Sequence, residues 1–325
     1  MNRRGIVFAL LALGAAPLAA QVQPASGVHR IAILSIGTDP ANPFRWRPFF
    51  EALEKLGYQE GRNLQVARFF GDGRFERLSG HVAELGAAKV DVIVTTGDRE
   101  IIALRKAGIS VPIILTFVAD PVERGFVSSL ARPGGNITGF SSLVPGLSQK
   151  YVELLREIVP AAKRFAVVAS ASNTRPSVML DYDAAARALG MSVTAVNVSD
   201  PGAYADALAR AKQGGASGII APMDGETFRF RKELVELALK HRLPGIYGDE
   251  GYVEAGGLIS YSSSFADRLR RAAGYVDRII RGAKPGDLPV QQPVVFDLVV
   301  NLRTAKSLGL TFPQSVLVRA TRVIE

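Results

Sequence analysis

The residue types best suited to chemistry form no familiar catalytic or metal-binding pattern in this sequence. Its three histidines, His29, His81 and His241, are far apart, and none has a second histidine at metal-ligand spacing. The serines at residues 262–264 lack the GxSxG turn of a hydrolase nucleophile, and there is no P-loop motif. The absence of cysteine excludes disulfides, thiolate zinc sites and cysteine nucleophiles. We therefore expect no catalytic residue, metal or cofactor, although a Ser/His/Asp set assembled in space stays open.

Short polar residues instead follow the apolar runs of the chain. If those runs are parallel strands, their ends share one sheet edge, where small ligands bind. Helix capping by Asp, Thr and Asn explains each residue singly, but together they indicate a ligand site. The residues assigned to it are Thr38, Asp39, Thr96, Gly97, Asp98, Asp120, Asn173, Asp224, Tyr247 and Glu250. Trp46 and Tyr247 are the rings expected to stack on an apolar ligand body, although ordinary packing also explains Trp46.

The elements that must position these residues alternate between strand and helix. Apolar, β-branched runs predict strands at residues 30–36, 64–70, 90–95 and 112–117, and again at 164–169, 192–198, 218–221, 243–247 and 257–261. Amphipathic segments with helical spacing lie between them. This order predicts an α/β protein with doubly wound parallel sheets.

Proline and glycine cluster at residues 132–146 and 282–293, which predicts that the chain crosses there between two lobes. We assign residues 29–140 and 260–290 to the first lobe and residues 141–259 and 291–325 to the second. Several crossings would form a hinge, and the facing sheet edges would enclose a small molecule.

The N-terminus indicates where the protein works. Arg3 and Arg4 precede an apolar stretch at residues 5–14 and small residues up to Ala20, which is typical of a secretory signal peptide. We expect residues 1–20 to be removed and the mature protein to be periplasmic. Loss of the two arginines lowers the formal charge from +9 to +7. The remaining basic residues are scattered along predicted helices, so we expect no nucleic-acid partner.

Several longer motifs resemble a known family. They are GYQEGRNL at residues 57–64, DPV at 120–122, LARPGGNITG at 130–139, GGLISY at 256–261, GAKPGDLPV at 282–290 and NLRTAKSLGL at 301–310. Together they are similar to a family of bacterial ABC-transporter substrate-binding proteins with tryptophan- and tyrosine-binding members. The resemblance implies a type I periplasmic-binding-protein fold. It also implies a small-molecule solute, an ABC permease with a cytoplasmic ATPase as partner, and a role other than catalysis.

The sequence departs from this family at the expected cleft. The family often has SYG where this chain has Tyr261-Ser262, NP near Ser172-Asn173, and GTP at residues 97–99. The ligand therefore does not carry over, and a small polar or aromatic solute, such as an amino acid or organic acid, is the expectation. We expect a monomer. Two other functions stay open: an exported hydrolase of similar fold, and a partner that presents its ligand to a sensor.

Overall fold

The computed structural model describes residues 27–37, 43–142, 144–174, 176–198 and 201–325. The expected signal peptide, residues 1–20, and the predicted ligand residues Thr38 and Asp39 lie outside this part of the chain. None of the helices within it is both long enough and apolar enough to cross a bilayer.

The first sheet has five parallel strands in the order β2-β1-β3-β4-β5. They are β1 (His29–Ser35), β2 (Leu64–Phe70), β3 (Val92–Thr95), β4 (Ile113–Val118) and β5 (Ile137–Ser141). Helix α1 (Pro43–Lys55) packs on one face, and α2 (Arg77–Ala87) and α3 (Asp98–Lys106) pack on the other. Because both faces are covered, the central strands are buried along nearly their whole length rather than at alternate residues.

The second sheet has seven strands in the order β12-β11-β10-β9-β8-β6-β7. The strands are β6 (Arg164–Ala169), β7 (Ser192–Asn197), β8 (Gly218–Ala221), β9 (Gly245–Tyr247), β10 (Ile259–Ser263), β11 (Phe296–Asn301) and β12 (Arg322–Ile324). All neighbouring pairs are parallel except β10 and β11.

Helices cover both faces of the second sheet as well. They are α4 (Leu147–Ile158), α5 (Pro176–Ala188), α6 (Tyr204–Gln213), α7 (Gly225–Arg229), α8 (Arg231–Lys240), α9 (Glu250–Glu254), α11 (Leu302–Leu308) and α12 (Gln314–Arg319). Short 3-10 turns form at Ala171–Asn173, Pro201–Ala203 and Pro285–Asp287.

The chain passes between the sheets after β5, after β10, and before β11. Helix α10 (Phe265–Ile280) follows β10 directly but packs against α1 and the first sheet. The segment after α10 stays there: Thr138 Oγ1 donates to the carbonyl of Leu288 at 2.6 Å, and the Ser141 N–H donates to that of Gln291 at 2.9 Å. Strand β10 belongs to the second sheet, and α10 is the element after it that packs on the first sheet.

The predicted fold class is confirmed, and each of the predicted strands is present with small shifts at its ends. The sequence pattern did not reveal β5, β11 and β12. Strand β5 lies inside the segment whose prolines and glycines indicated a crossing. Gly139 there has φ of 134°, and a Cβ at this position would overlap the carbonyl oxygen of Leu115. This glycine marks a close approach to β4 rather than a linker.

Candidate ligand-binding site between the two sheets

The loops beyond the strands of one sheet meet those of the other. Arg45, in the first turn of α1 after β1, contacts Asp249, which follows β9. Phe117, near the end of β4, lies under the guanidinium of Arg268, which belongs to the helix after β10. Parallel sheets bind ligands beyond the carboxyl ends of their strands. This junction is therefore the candidate site.

Arg45 bridges the two lobes. Its Nη2 lies 3.0 Å from Asp249 Oδ2, and the Asp249 side chain is only 12% exposed. The other carboxylate oxygen of Asp249 accepts from the Gly251 N–H at 2.8 Å and so caps α9. The guanidinium of Arg45 also lies 4.6 Å from the ring centroid of Phe265 and 5.4 Å from that of Phe228. One cation thus contacts a carboxylate and two aromatic rings.

Arg268 is the most deeply buried cation of the junction, with 3% of its surface exposed. Its Nη1 donates to the Ser263 carbonyl at 2.9 Å and to the Ser263 hydroxyl. The guanidinium lies 5.0 Å from the ring centroid of Phe117. Burial lowers the pKa of Arg268 to about 10, against the raising effect of Asp249, so the side chain stays charged at neutral pH. We call Arg45, Phe117, Phe228, Asp249, Phe265 and Arg268 the interlobe site.

Nearly all of the described chain matches a known family. The family model for ABC transporter substrate binding proteins covers residues 30–324. The chain belongs to this family. Proteins of the family are solute-binding proteins rather than enzymes, and they typically work outside the cytoplasm.

Individual relatives agree with this assignment. The chain is 25% identical over 264 residues to a tyrosine-binding protein of Clostridioides difficile, a match that covers 81% of this chain and 75% of that protein. It is similar to the ABC domain from Streptococcus pneumoniae solved with L-Trp, with 24% identity, a TM-score of 0.82, and coverage of 92% and 100% of the two chains. A conserved domain protein of Vibrio cholerae gives 28% identity, a TM-score of 0.81, and coverage of 91% and 99%.

In this substrate-binding protein, Thr96 and Gly97 belong to a polar network around Glu100. Thr96 Oγ1 bonds the Ser35 hydroxyl at 2.8 Å and donates to Glu100 Oε1 at 3.1 Å. The Ile36 N–H donates to the same carboxylate oxygen at 2.8 Å. A Cβ on Gly97 would lie 2.9 Å from Glu100 Oε2. Burial raises the pKa of Glu100, opposed by these hydrogen bonds. The network fixes the loop after β3 against the loop after β1.

Asp98 and Asp120 also have partners within the first lobe. Asp98 Oδ2 lies 3.1 Å from Arg124 Nε, and burial raises the Asp98 pKa more than Arg124 lowers it. Asp120 Oδ1 accepts from the N–H groups of Val122 and Glu123 at 3.1 and 2.9 Å, which caps the turn after β4.

In the second lobe, Asp224 is buried and its Oδ2 accepts from the Ser170 N–H at 2.7 Å, which joins the loops after β6 and β8. Asn173 is half-buried at the end of the 3-10 turn that follows Ser170. Glu250 Oε2 lies 3.3 Å from Arg322 of β12, and burial raises the Glu250 pKa. Asp224 therefore joins two loops of the second lobe, and Glu250 forms an ion pair within it.

The aromatic predictions need correction. Tyr247 is 2% exposed, and its ring stacks on that of Tyr252 with the centroids 5.0 Å apart. A Cβ on Gly245 or Gly257 would collide with the Tyr247 ring. Tyr247 is a buried core residue of the second lobe. Trp46 is 5% exposed and packs edge-to-face on neighbouring phenylalanines, so packing explains it.

None of the six residues of the interlobe site is among the ligand residues assigned from the sequence. Arg268 carried the clearest signal, because it lies on the apolar face of α10 beside Leu269 and Ala272. A cation on the buried stripe of a helix needs a partner and is informative for that reason. Arg45 carried no comparable signal, since its partner Asp249 is 204 residues away in sequence. No metal-holding cluster of His, Asp or Glu occurs among the residues that the structure describes.

Proposed function

We propose that this chain captures a small polar or aromatic solute in the interlobe site and delivers it to an ABC permease driven by a cytoplasmic ATPase. The observation that carries the proposal is the contact between Arg45 and Asp249, which joins the loop edges of the two sheets with aromatic rings around it. A solute held there would contact both lobes and favour their closed arrangement.

The names of two relatives support a narrower proposal for the chemistry of the solute. One is named a tyrosine-binding protein, and another was solved with L-Trp. From these ligands we infer that the solute of this chain is an amino acid or organic acid with an aromatic or apolar body. The protein would act outside the cytoplasm after loss of residues 1–20, and it would leave the solute chemically unchanged.

Of the loop residues expected from the sequence, we retain Asp98 and Asn173 as further ligand contacts. Both lie beyond the carboxyl ends of strands, after β3 and β6. Asp98 forms an ion pair with Arg124, and a ligand could contact Asp98 while this ion pair is kept. Thr96 and Asp224 act in this proposal as supports for the loops.

The test uses purified mature protein and native mass spectrometry of whatever small molecule co-purifies with it. The identified compound, added back, should raise the melting temperature in proportion to the logarithm of its concentration above its Kd. Chromatography of the same mixture should recover the compound unchanged.

Two results would contradict the proposal. One is steady conversion of the compound under excess, which would favour an exported hydrolase. The other is an absence of any co-purified molecule together with no stabilisation by aromatic amino acids or aromatic acids.

A further inference from the structure

Arg268 has a hydrogen-bonding edge that the described protein groups do not use. Its hydrogen bonds to Ser263 both go through Nη1. Its Nε is buried and has no partner among the described residues. The acids whose charge acts on it are Asp249, Asp267 and Asp297, and none of them accepts a hydrogen bond from it. Asp249 and Asp267 form ion pairs with Arg45 and Arg271. The guanidinium is therefore held in place on one side only.

The unused edge has a specific chemical match. A guanidinium presents its N–H groups in a planar fork, and the Nε–Nη2 edge fits the two oxygens of a carboxylate. A buried charged donor without an acceptor is costly, so a ligand that supplies the acceptor gains affinity. The ring centroid of Phe117 lies 5.0 Å from the same guanidinium, within the range of a cation–π contact.

We propose that Arg268 binds the carboxylate of the solute, which makes small organic carboxylates, amino acids included, the substrate class of this protein. The inference rests on the proposed function, because it names the solute group that the interlobe site holds. Bonds from Nη1 to Ser263 position the arginine, and the free edge receives the ligand. The remainder of the ligand lies against the phenylalanine rings of the interlobe site.

The first test needs no variant. Calorimetry at neutral pH compares each acid with its neutral amide on the wild-type protein: L-tyrosine with L-tyrosinamide, L-tryptophan with L-tryptophanamide, and 4-hydroxybenzoate with 4-hydroxybenzamide. For the acids that bind, the amide should bind at least about tenfold more weakly, since a carboxamide offers one oxygen and no negative charge.

The second test is Arg268→Gln, with Arg268→Lys beside it. Both should weaken binding of the best acid by at least about tenfold, because a lysine restores the charge but not the fork. Arg271→Gln is the matched control. It lies one turn further along α10 and pairs with Asp267 and Gln291, and its acid affinity should stay near that of the wild type. If Arg268→Gln does not fold, the comparison of acids with amides decides alone.

The outcomes separate the two proposals. Amides that bind as tightly as their acids, or a co-purified solute without an acidic group, overturn the role of Arg268 and leave solute capture standing. Full acid affinity in folded Arg268→Gln does the same. Failure of every probe, together with an empty protein by native mass spectrometry, overturns both.

Discussion

At the scale of single residues, a buried titratable side chain joins the loops that follow two strands. Glu100 is 1% exposed, yet it accepts hydrogen bonds from Ile36 and Thr96 and joins two loops of the first sheet. Burial raises its pKa above the ordinary value of 4.5, which means that the folded state favours the protonated carboxyl. Stability and pH are therefore linked at this residue.

Glu100→Gln should reveal this link. Because the folded pKa is raised, the contribution of Glu100 to stability is complete below 4.5 and is lost as the pH rises through its folded pKa. Glutamine cannot ionise, so the unfolding free energy of the wild type should fall relative to that of the variant as the pH rises from below 4.5 through the folded pKa of Glu100. Urea unfolding across this range measures the difference. The exposed Glu84→Gln controls for the loss of one charge, and a difference that does not change with pH would contradict the assignment.

At the scale of elements, close packing of strands decides where glycine is required. Strand β5 fits beside β4 only because Gly139 has no side chain, whereas a Cβ added to Gly80 in α2 would meet nothing within 4 Å. The same residue type thus serves opposite purposes at the two positions. Gly139 permits a contact, and Gly80 only adds flexibility to the unfolded chain.

Gly139→Ala should destabilise the protein by about 3 kcal/mol or more, because the Cβ would overlap the Leu115 carbonyl in a backbone conformation that L residues avoid. Gly80→Ala should stabilise it by about 0.5–1 kcal/mol through helix propensity. Chemical denaturation of both variants gives the comparison. Equal stability of Gly139→Ala and the wild type would show that β5 does not need this close approach.

At the scale of the whole molecule, the ion pair between Arg45 and Asp249 connects lobes that otherwise have separate cores. Arg45 is partly exposed, so the pair contributes on the order of 1 kcal/mol, and with it a several-fold change in the population of the closed arrangement. An interaction of this size permits opening and closing rather than locking the lobes together.

Arg45→Gln should therefore lengthen the distance between the lobes in the ligand-free protein. The chain has no cysteine, so Glu54→Cys and Arg187→Cys introduce two unique sites for spin labels, one on each lobe. Pulsed electron resonance should show a larger share of long distances in Arg45→Gln. Arg322→Gln, which breaks ion pairs with Glu250 and Glu254 inside the second lobe, is the control. Identical distance distributions in all three proteins would contradict the role of Arg45.

The sequence predicted the strands whose apolar runs are long enough to be recognised without context. Strands such as β1 and β6 are buried on both faces, and hydrophobicity alone marks them. The sequence did not predict β5, because the need for Gly139 depends on its contact with Leu115, a residue of the neighbouring strand. Tyr247 was assigned to the ligand because it ends a strand, but the direction of its ring depends on Gly245, Tyr252 and Gly257.

The amino-acid sequence by itself determined the α/β class and the family, because these follow from local periodicity and from motifs that are contiguous in the chain. Only the tertiary structure decided which polar residues face one another. Arg45 and Asp249 meet across two lobes, and Nε of Arg268 is buried without a partner among the described residues. Pairing across such distances is set by packing, which no local pattern of residues records.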